Sequence, residues 1–169
     1  MRTVSPQLTA IPAGAIELRD ARSGLSREVT LRGFESGRTP ITQAEYEAVL
    51  GAIDTSQERS DAPAHPVTWF EAVRWCNAAS AASGFTPAYA IDDRNVVWDV
   101  SADGFRLPTE AEWERACRAG STAPTYGPLA DVAWTTADQV SEAQGWSATA
   151  DRERADIRGP LPVGWTPLR

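Results

Sequence analysis

Short apolar stretches alternate with polar ones at the start of the chain. Leu8 to Ile11 and Ala15 to Leu18 are apolar and are separated by Pro12 and Gly14. Glu28-Val29-Thr30-Leu31-Arg32-Gly33-Phe34 alternates with the period of a half-buried strand. The polar run Asp20 to Ser26 contains Gly24 and reads as a loop. The pattern then changes. Thr42-Gln43-Ala44-Glu45, Thr68-Trp69-Phe70-Glu71 and Thr109-Glu110-Ala111-Glu112 each fit a capping box. In that device the Thr hydroxyl takes the amide three residues on, and the Glu carboxylate returns to the cap amide. Apolar residues at helical spacing follow each box. A first helix is predicted to end near Gly51, a second to run from Trp69 to about Ser83 before Gly84, and a third from Glu110 to Ala119 before Gly120. Between the last two, Ala88 to Ile91 and Val96 to Val100 flank Asp92-Asp93-Arg94-Asn95, a hairpin pattern. Asp103-Gly104 turns the chain again into Phe105-Arg106-Leu107.

Periodicity fades after Gly120. Asp131 to Trp134 reads as a short packing segment, and Ser141 to Arg158 is mostly polar. A loop-rich tail of this length is unusual in a compact domain, so either tertiary contacts hold it or the fold is incomplete at Arg169. No internal repeat and no heptad pattern is present.

Composition narrows the function classes. The 169 residues carry a formal net charge of −7 at 42% hydrophobic content. That suffices for a core in one domain and excludes wholesale disorder. So acidic a chain lacks the electrostatic footprint of a nucleic-acid binder or of an anionic membrane surface binder. All 16 basic residues are Arg. Without Lys there is no Schiff base, no pyridoxal lysine and no Walker lysine. His65 is the one histidine, and Cys76 and Cys117 are the only cysteines. They are too few for a disulfide framework or a His- or Cys-rich zinc site. No apolar run approaches a membrane span and no signal segment is visible. A cytoplasmic protein with reduced thiols is expected.

The residues that could carry chemistry each have a bland reading beside the functional one. Cys76 shares a helical face with Trp69, Ala72 and Val73, and Cys117 shares one with Trp113 and Ala116. They could form a redox or copper pair; packing as small buried hydrophobes is the preferred reading. An activated thiol needs a cationic neighbour, and Arg74 and Arg118 are placed off the cysteines' faces. His65 could serve Cys76 as a base, but its Pro-rich loop favours a solvated histidine. Glu110, Glu112 and Glu114 at spacings of two do not share a face, and Glu in a first turn suits the helix dipole.

Arg106-Leu107-Pro108-Thr109-Glu110-Ala111-Glu112-Trp113-Glu114, followed by Ala116-Cys117-Arg118-Ala119-Gly120-Ser121, resembles the signature of the formylglycine-generating enzyme (sulfatase-modifying factor) family. Other blocks agree in order. They are Arg27 to Leu31 with Gly33-Phe34, Pro40 to Tyr46, Pro63 and Val67 to Asn77, Thr86 to Tyr89, the Trp98 hairpin, Asp131 to Trp134, and Pro162-Val163-Gly164. The resemblance spans nearly the whole chain and corresponds to the first part of the family domain.

The resemblance implies an α+β, C-type-lectin-like fold with much irregular structure, here as a single partial domain over 1–169, C-terminally truncated. It implies oxidation of a target-protein cysteine to formylglycine, the step that matures sulfatases, with oxygen and a copper(I) ion held by two close cysteines. Soft thiolates suit that ion. In the family those ligands lie beyond the part matched here. Cys76 and Cys117 fall on positions where members carry core or structural cysteines. No catalytic, cofactor-binding or metal residue is therefore assigned, and no copper or calcium ligand is carried over. At the family's calcium-carbonyl position stand Val132 and Ala133. Trp69, Trp98 and Trp113 match family core positions, whereas Trp134, Trp146 and Trp165 lie in the loop-rich tail, where aromatics can line a groove. The partners implied are a protein or peptide substrate, and a complementing chain or self-association to cover apolar surface left open. The alternatives are a non-catalytic lectin-like binding module and an inactive remnant.

Overall fold

The computed structural model describes residues 6–20, 22–53, 60–123 and 127–128. The predicted segment Asp131 to Trp134, the Pro162-Val163-Gly164 landmark and Trp146 and Trp165 lie outside the described residues. Six strands and three helices are ordered β1 (Leu8–Ile11), β2 (Gly14–Arg19), β3 (Ser26–Leu31), β4 (Phe34–Gly37), α1 (Gln43–Leu50), α2 (Trp69–Ala82), β5 (Tyr89–Asp92), β6 (Asn95–Trp98) and α3 (Glu110–Arg118). The class is α+β.

The strand predicted over Glu28 to Phe34 is two strands. β3 pairs with β2 and β4 pairs with β1, all antiparallel, and one register runs from Leu8↔Gly37 through Ile11↔Phe34 and Gly14↔Leu31 to Arg19↔Ser26. The four strands are thus one long hairpin, interrupted where Pro12-Ala13 faces Arg32-Gly33. Pro12 has no N–H to give, so the ladder lapses there.

The three capping boxes form as the sequence pattern demands. Thr42, Thr68 and Thr109 each accept from the backbone amide of Glu45, Glu71 and Glu112, and each Glu reaches back to the cap amide. α1 ends at Gly51 and α2 at Ser83, close to the predicted stops. α3 ends one residue before the expected glycine, with Ala119 itself left-handed at φ 47°. The β5–β6 hairpin is tighter than the pattern suggests, with Asp92 paired to Asn95 across Asp93-Arg94.

The core lies between α1, α2 and the segment entering α3. Tyr46, Trp75, Cys76 and Ala79 form its centre, and Ile41, Val49, Tyr89, Phe105 and Leu107 pack around them. Trp75 is turned onto α1, where its indole N–H donates to the Glu45 carbonyl at 3.3 Å. The helical face expected to bury Trp69 instead buries Val73, Cys76, Ala79 and Ser80. Trp69 occupies the first turn, edge-on to Phe70 at 5.2 Å. Trp69, Trp98 and Trp113, expected in the core, are 52%, 40% and 50% exposed. Trp69 opens α2 and Trp98 closes β6, each at the end of its element, and Trp113 lies on α3, outside the α1–α2 contact. Among the described residues no helix is long and apolar enough to cross a membrane.

Candidate functional site

The segment that carries the family-like string holds three of the ion pairs found among the described residues. It begins at a close approach. Phe105 N–H donates to Ser80 Oγ at 2.8 Å, and that hydroxyl donates to the Cys76 carbonyl at 2.7 Å. Gly104 makes this possible, because a Cβ there would collide with the Thr86 carbonyl and the Ser80 side chain. Leu107 N–H then donates to the Tyr89 hydroxyl at 2.9 Å. The Tyr89 strand is fixed from its other side by Asn77, whose amide donates to the Tyr89 carbonyl at 2.6 Å and accepts its N–H at 3.0 Å.

Arg106 and Glu112 form the centre of the site. The guanidinium makes a fork on the carboxylate, Nη1 to Oε2 at 2.7 Å and Nη2 to Oε1 at 2.6 Å. Arg106 also donates to the Leu107 carbonyl at 3.1 Å, and its charge lies 5.1 Å from the centre of the Trp98 ring. The same Glu112 carboxylate takes the Thr109 N–H at 2.8 Å and the Thr109 hydroxyl at 3.0 Å. The Arg106 hydrogen bond above all holds the Glu112 carboxyl down at about 2, against the opposing effect of burial. Glu112 likewise raises the Arg106 guanidinium. An ionised, fully engaged carboxylate neither donates a proton nor accepts another at neutral pH.

The remaining charges of α3 are also engaged in structure. Glu114 and Arg118 pair at 2.6 Å one turn apart, and Arg27 reaches Glu110 at 3.7 Å. Arg115 extends to the interruption in the long hairpin. It donates to the carbonyls of Pro12 at 2.9 Å, Ala13 at 3.2 Å and Ala15 at 3.0 Å. Gly14 leaves room for that guanidinium, since a Cβ there would sit on it. The functional reading of Glu110, Glu112 and Glu114 as an acid–base set is thus displaced by three separate Arg partners.

The thiols tell the same story. Cys76 is buried and burial pushes its thiol up to about 11. Cys117 is partly buried on α3; burial and then the Glu114 charge raise its thiol as well. Neither is a thiolate near neutrality. His65 is exposed in the loop before α2, so it does not serve as base to the buried Cys76. Among the described residues no group of three or more His, Cys, Asp or Glu is placed to hold a metal ion. Every Cys and His of the chain is among those residues.

Sequence reasoning passed over Arg106, Arg115, Asn77 and Ser80. A signal for Arg106 was present: an Arg three residues before a capping Thr can reach the Glu of the same box. Arg115, Asn77 and Ser80 act across long sequence separations and left no local trace.

The pattern of the sulfatase-modifying factor enzyme 1-like domain matches residues 1–161. A curated relative, "Chaperone protein LppX" of Paenibacillus barcinonensis, is 32% identical over 140 residues, covering 73% of this chain and 49% of its own length. The chain therefore spans about half of that relative. Among solved structures, "Treponema denticola variable protein 1" superposes with a TM-score of 0.61 at 25% identity, over 72% of this chain and 55% of that one. The crystal structure of CarF superposes with a TM-score of 0.55 at 21% identity, over 70% of this chain and 58% of that one, a likeness of fold.

Proposed function

The chain belongs to the sulfatase-modifying factor enzyme 1-like domain family, and on that premise we propose that its described residues are the scaffold of a formylglycine-generating-type domain rather than its oxidising centre. The family role is oxidation of a cysteine in a target protein to formylglycine, as in sulfatase maturation. This chain does not perform that step alone.

One observation carries the reading. The chain's two thiols sit on different helices, and both are held protonated by their surroundings. Copper(I) binding needs close, deprotonated sulfur ligands. The residues present do not fit that ion, and no step is derived through it. The other candidate groups, Arg106, Glu112 and Arg115, are engaged in structural bonds: Arg106 and Glu112 with each other, and Arg115 with main-chain carbonyls. The test is direct. The purified chain is titrated with copper(I) against a competing chelator, then incubated aerobically with a cysteine-containing peptide and examined by mass spectrometry. The expected result is no tight uptake and an unchanged peptide. Stoichiometric copper uptake lost in Cys76→Ala, or conversion of the peptide cysteine to an aldehyde, would overturn the reading.

A second reading has its own support. Trp69, Trp98 and Trp113 are large aromatics held partly in solvent on rigid elements, the residue type that anchors protein interfaces. A relative carries the name of a chaperone. Both fit a non-catalytic module that binds a polypeptide. Tryptophan fluorescence that shifts on adding an unfolded protein would favour it.

A further inference from the structure

The β5–β6 hairpin is held on one edge at Tyr89 and is open along the other. Its two-residue turn makes Asp92 and Asn95 a hydrogen-bonded pair, so Ala90 and Val97 form the next one. Tyr89 and Ile91 then direct their backbone groups to one side, and Val96 and Trp98 to the other. The first side is capped at Tyr89 by the Asn77 amide. On the second side, the N–H and C=O groups of Val96 and Trp98 have no partner among the described residues. The open edge also lacks the usual protections. It carries no proline, no bulge and no charge between Asn95 and Trp98. Val97 and Val100 beside it are 57% and 75% exposed.

We propose that this edge is a self-association site, which a second copy of the chain joins antiparallel through its own β6. The register follows from which backbone groups are free. Within β6 only Val96 and Trp98 point outward, and the register that engages both in both copies sets Val96 of one opposite Trp98 of the other, with Val97 facing Val97 on the two-fold axis. The side chains agree with that register. Apolar residues meet apolar ones at all three positions, and Asp99 lies opposite Asn95, not opposite another carboxylate. The shared strand is short and covers less than the roughly 1,200 Å² of a standard interface, so association is weak and concentration-dependent.

The experiment uses the full 169-residue chain. Sedimentation velocity across a dilution series is run on the native chain, on Val97→Lys, on Val97→Glu and on an equimolar mixture of the two. Residue 97 faces itself only in the proposed register. Each variant alone places like charges opposite each other and is expected to weaken association about tenfold; the mixture is expected to restore it. Val96→Pro removes an outward N–H without touching the ladder to β5, and is expected to weaken it too. Far-ultraviolet circular dichroism checks that each variant is folded. A native chain monomeric at roughly millimolar concentration would overturn the proposal. So would a dimer indifferent to the charges, or a mixture no tighter than its components.

Discussion

Replacing Glu112 by Gln isolates the central ion pair with little change of shape. In the native chain the Glu112 side chain is 11% exposed and its carboxyl is held at about 2, against 4.5 for a free glutamate. A depressed carboxyl stabilises the folded state above its unfolded pKa, and that contribution disappears as pH falls through the folded value. The window here runs from about pH 5 down to about pH 2. At roughly 1.4 kcal/mol per pH unit the shift corresponds to about 3 kcal/mol at neutral pH. Arg106 is 27% exposed, so solvent screening lowers the figure to about 2 kcal/mol. Gln retains an oxygen for the Thr109 amide, and the loss reports chiefly the Arg106 charge pair. Urea unfolding of both proteins at a series of pH values measures it. Glu112→Gln is expected to be less stable by about 2 kcal/mol at pH 7, with a flatter acid limb. The two curves should converge toward pH 2. A gap that stays constant from pH 7 to pH 2 would show that shape, not charge, makes the contribution. No gap at pH 7 would show that desolvation cancels the pair.

Three further outcomes follow from particular contacts. Ala119 ends α3 at φ 47°, where a Cβ is strained; Ala119→Gly should raise stability by about 0.5–1 kcal/mol in thermal unfolding. A Cβ at Gly14 would displace the Arg115 guanidinium from the Pro12 and Ala13 carbonyls. Gly14→Ala should therefore speed hydrogen exchange across β1 and β2 more than in α2, and equal acceleration in both would argue against Arg115 as the link. Cys117 is partly exposed and Cys76 is buried. An aromatic disulfide reagent at pH 8 should label Cys117 first and Cys76 only at the rate of unfolding, and simultaneous labelling would contradict the packing described.

What was legible in the sequence was what local physics dictates. A Thr hydroxyl and a Glu carboxylate three residues apart satisfy orphan amides wherever they occur, so all three helix starts could be placed to the residue. The break in the long hairpin was not legible from Glu28 to Phe34, whose alternation continues through Arg32-Gly33. Its cause is Pro12, on the opposite strand. The tryptophans were misplaced for a related reason. Apolar character marks a residue that can be buried, but on α2 and α3 the buried positions are taken by Val73, Cys76 and Ala111 while Trp69 and Trp113 stay half exposed. Trp75, one residue before Cys76, took the core position because it faces α1. Of the two thiols read from the sequence as buried, Cys76 is and Cys117 is only partly so; with no cation against them, burial raises both, helped at Cys117 by the Glu114 charge.

The string that identifies the family is, in this chain, a device for building the fold. Arg106 spends its charge on Glu112, Thr109 its hydroxyl on the helix start, and Arg115 its guanidinium on the broken hairpin. The first two bonds set the entry and start of α3, and the Arg115 bonds tie that helix to the hairpin about a hundred residues earlier in the chain. Residues committed in this way report architecture with high specificity, because few other residues can replace a forked guanidinium or a reciprocal cap. For the same reason they say little about reaction chemistry, which needs groups left free to change protonation or ligand. A match carried by such a string therefore licenses the fold. The oxidation must be shown separately, at residues whose bonding is still open.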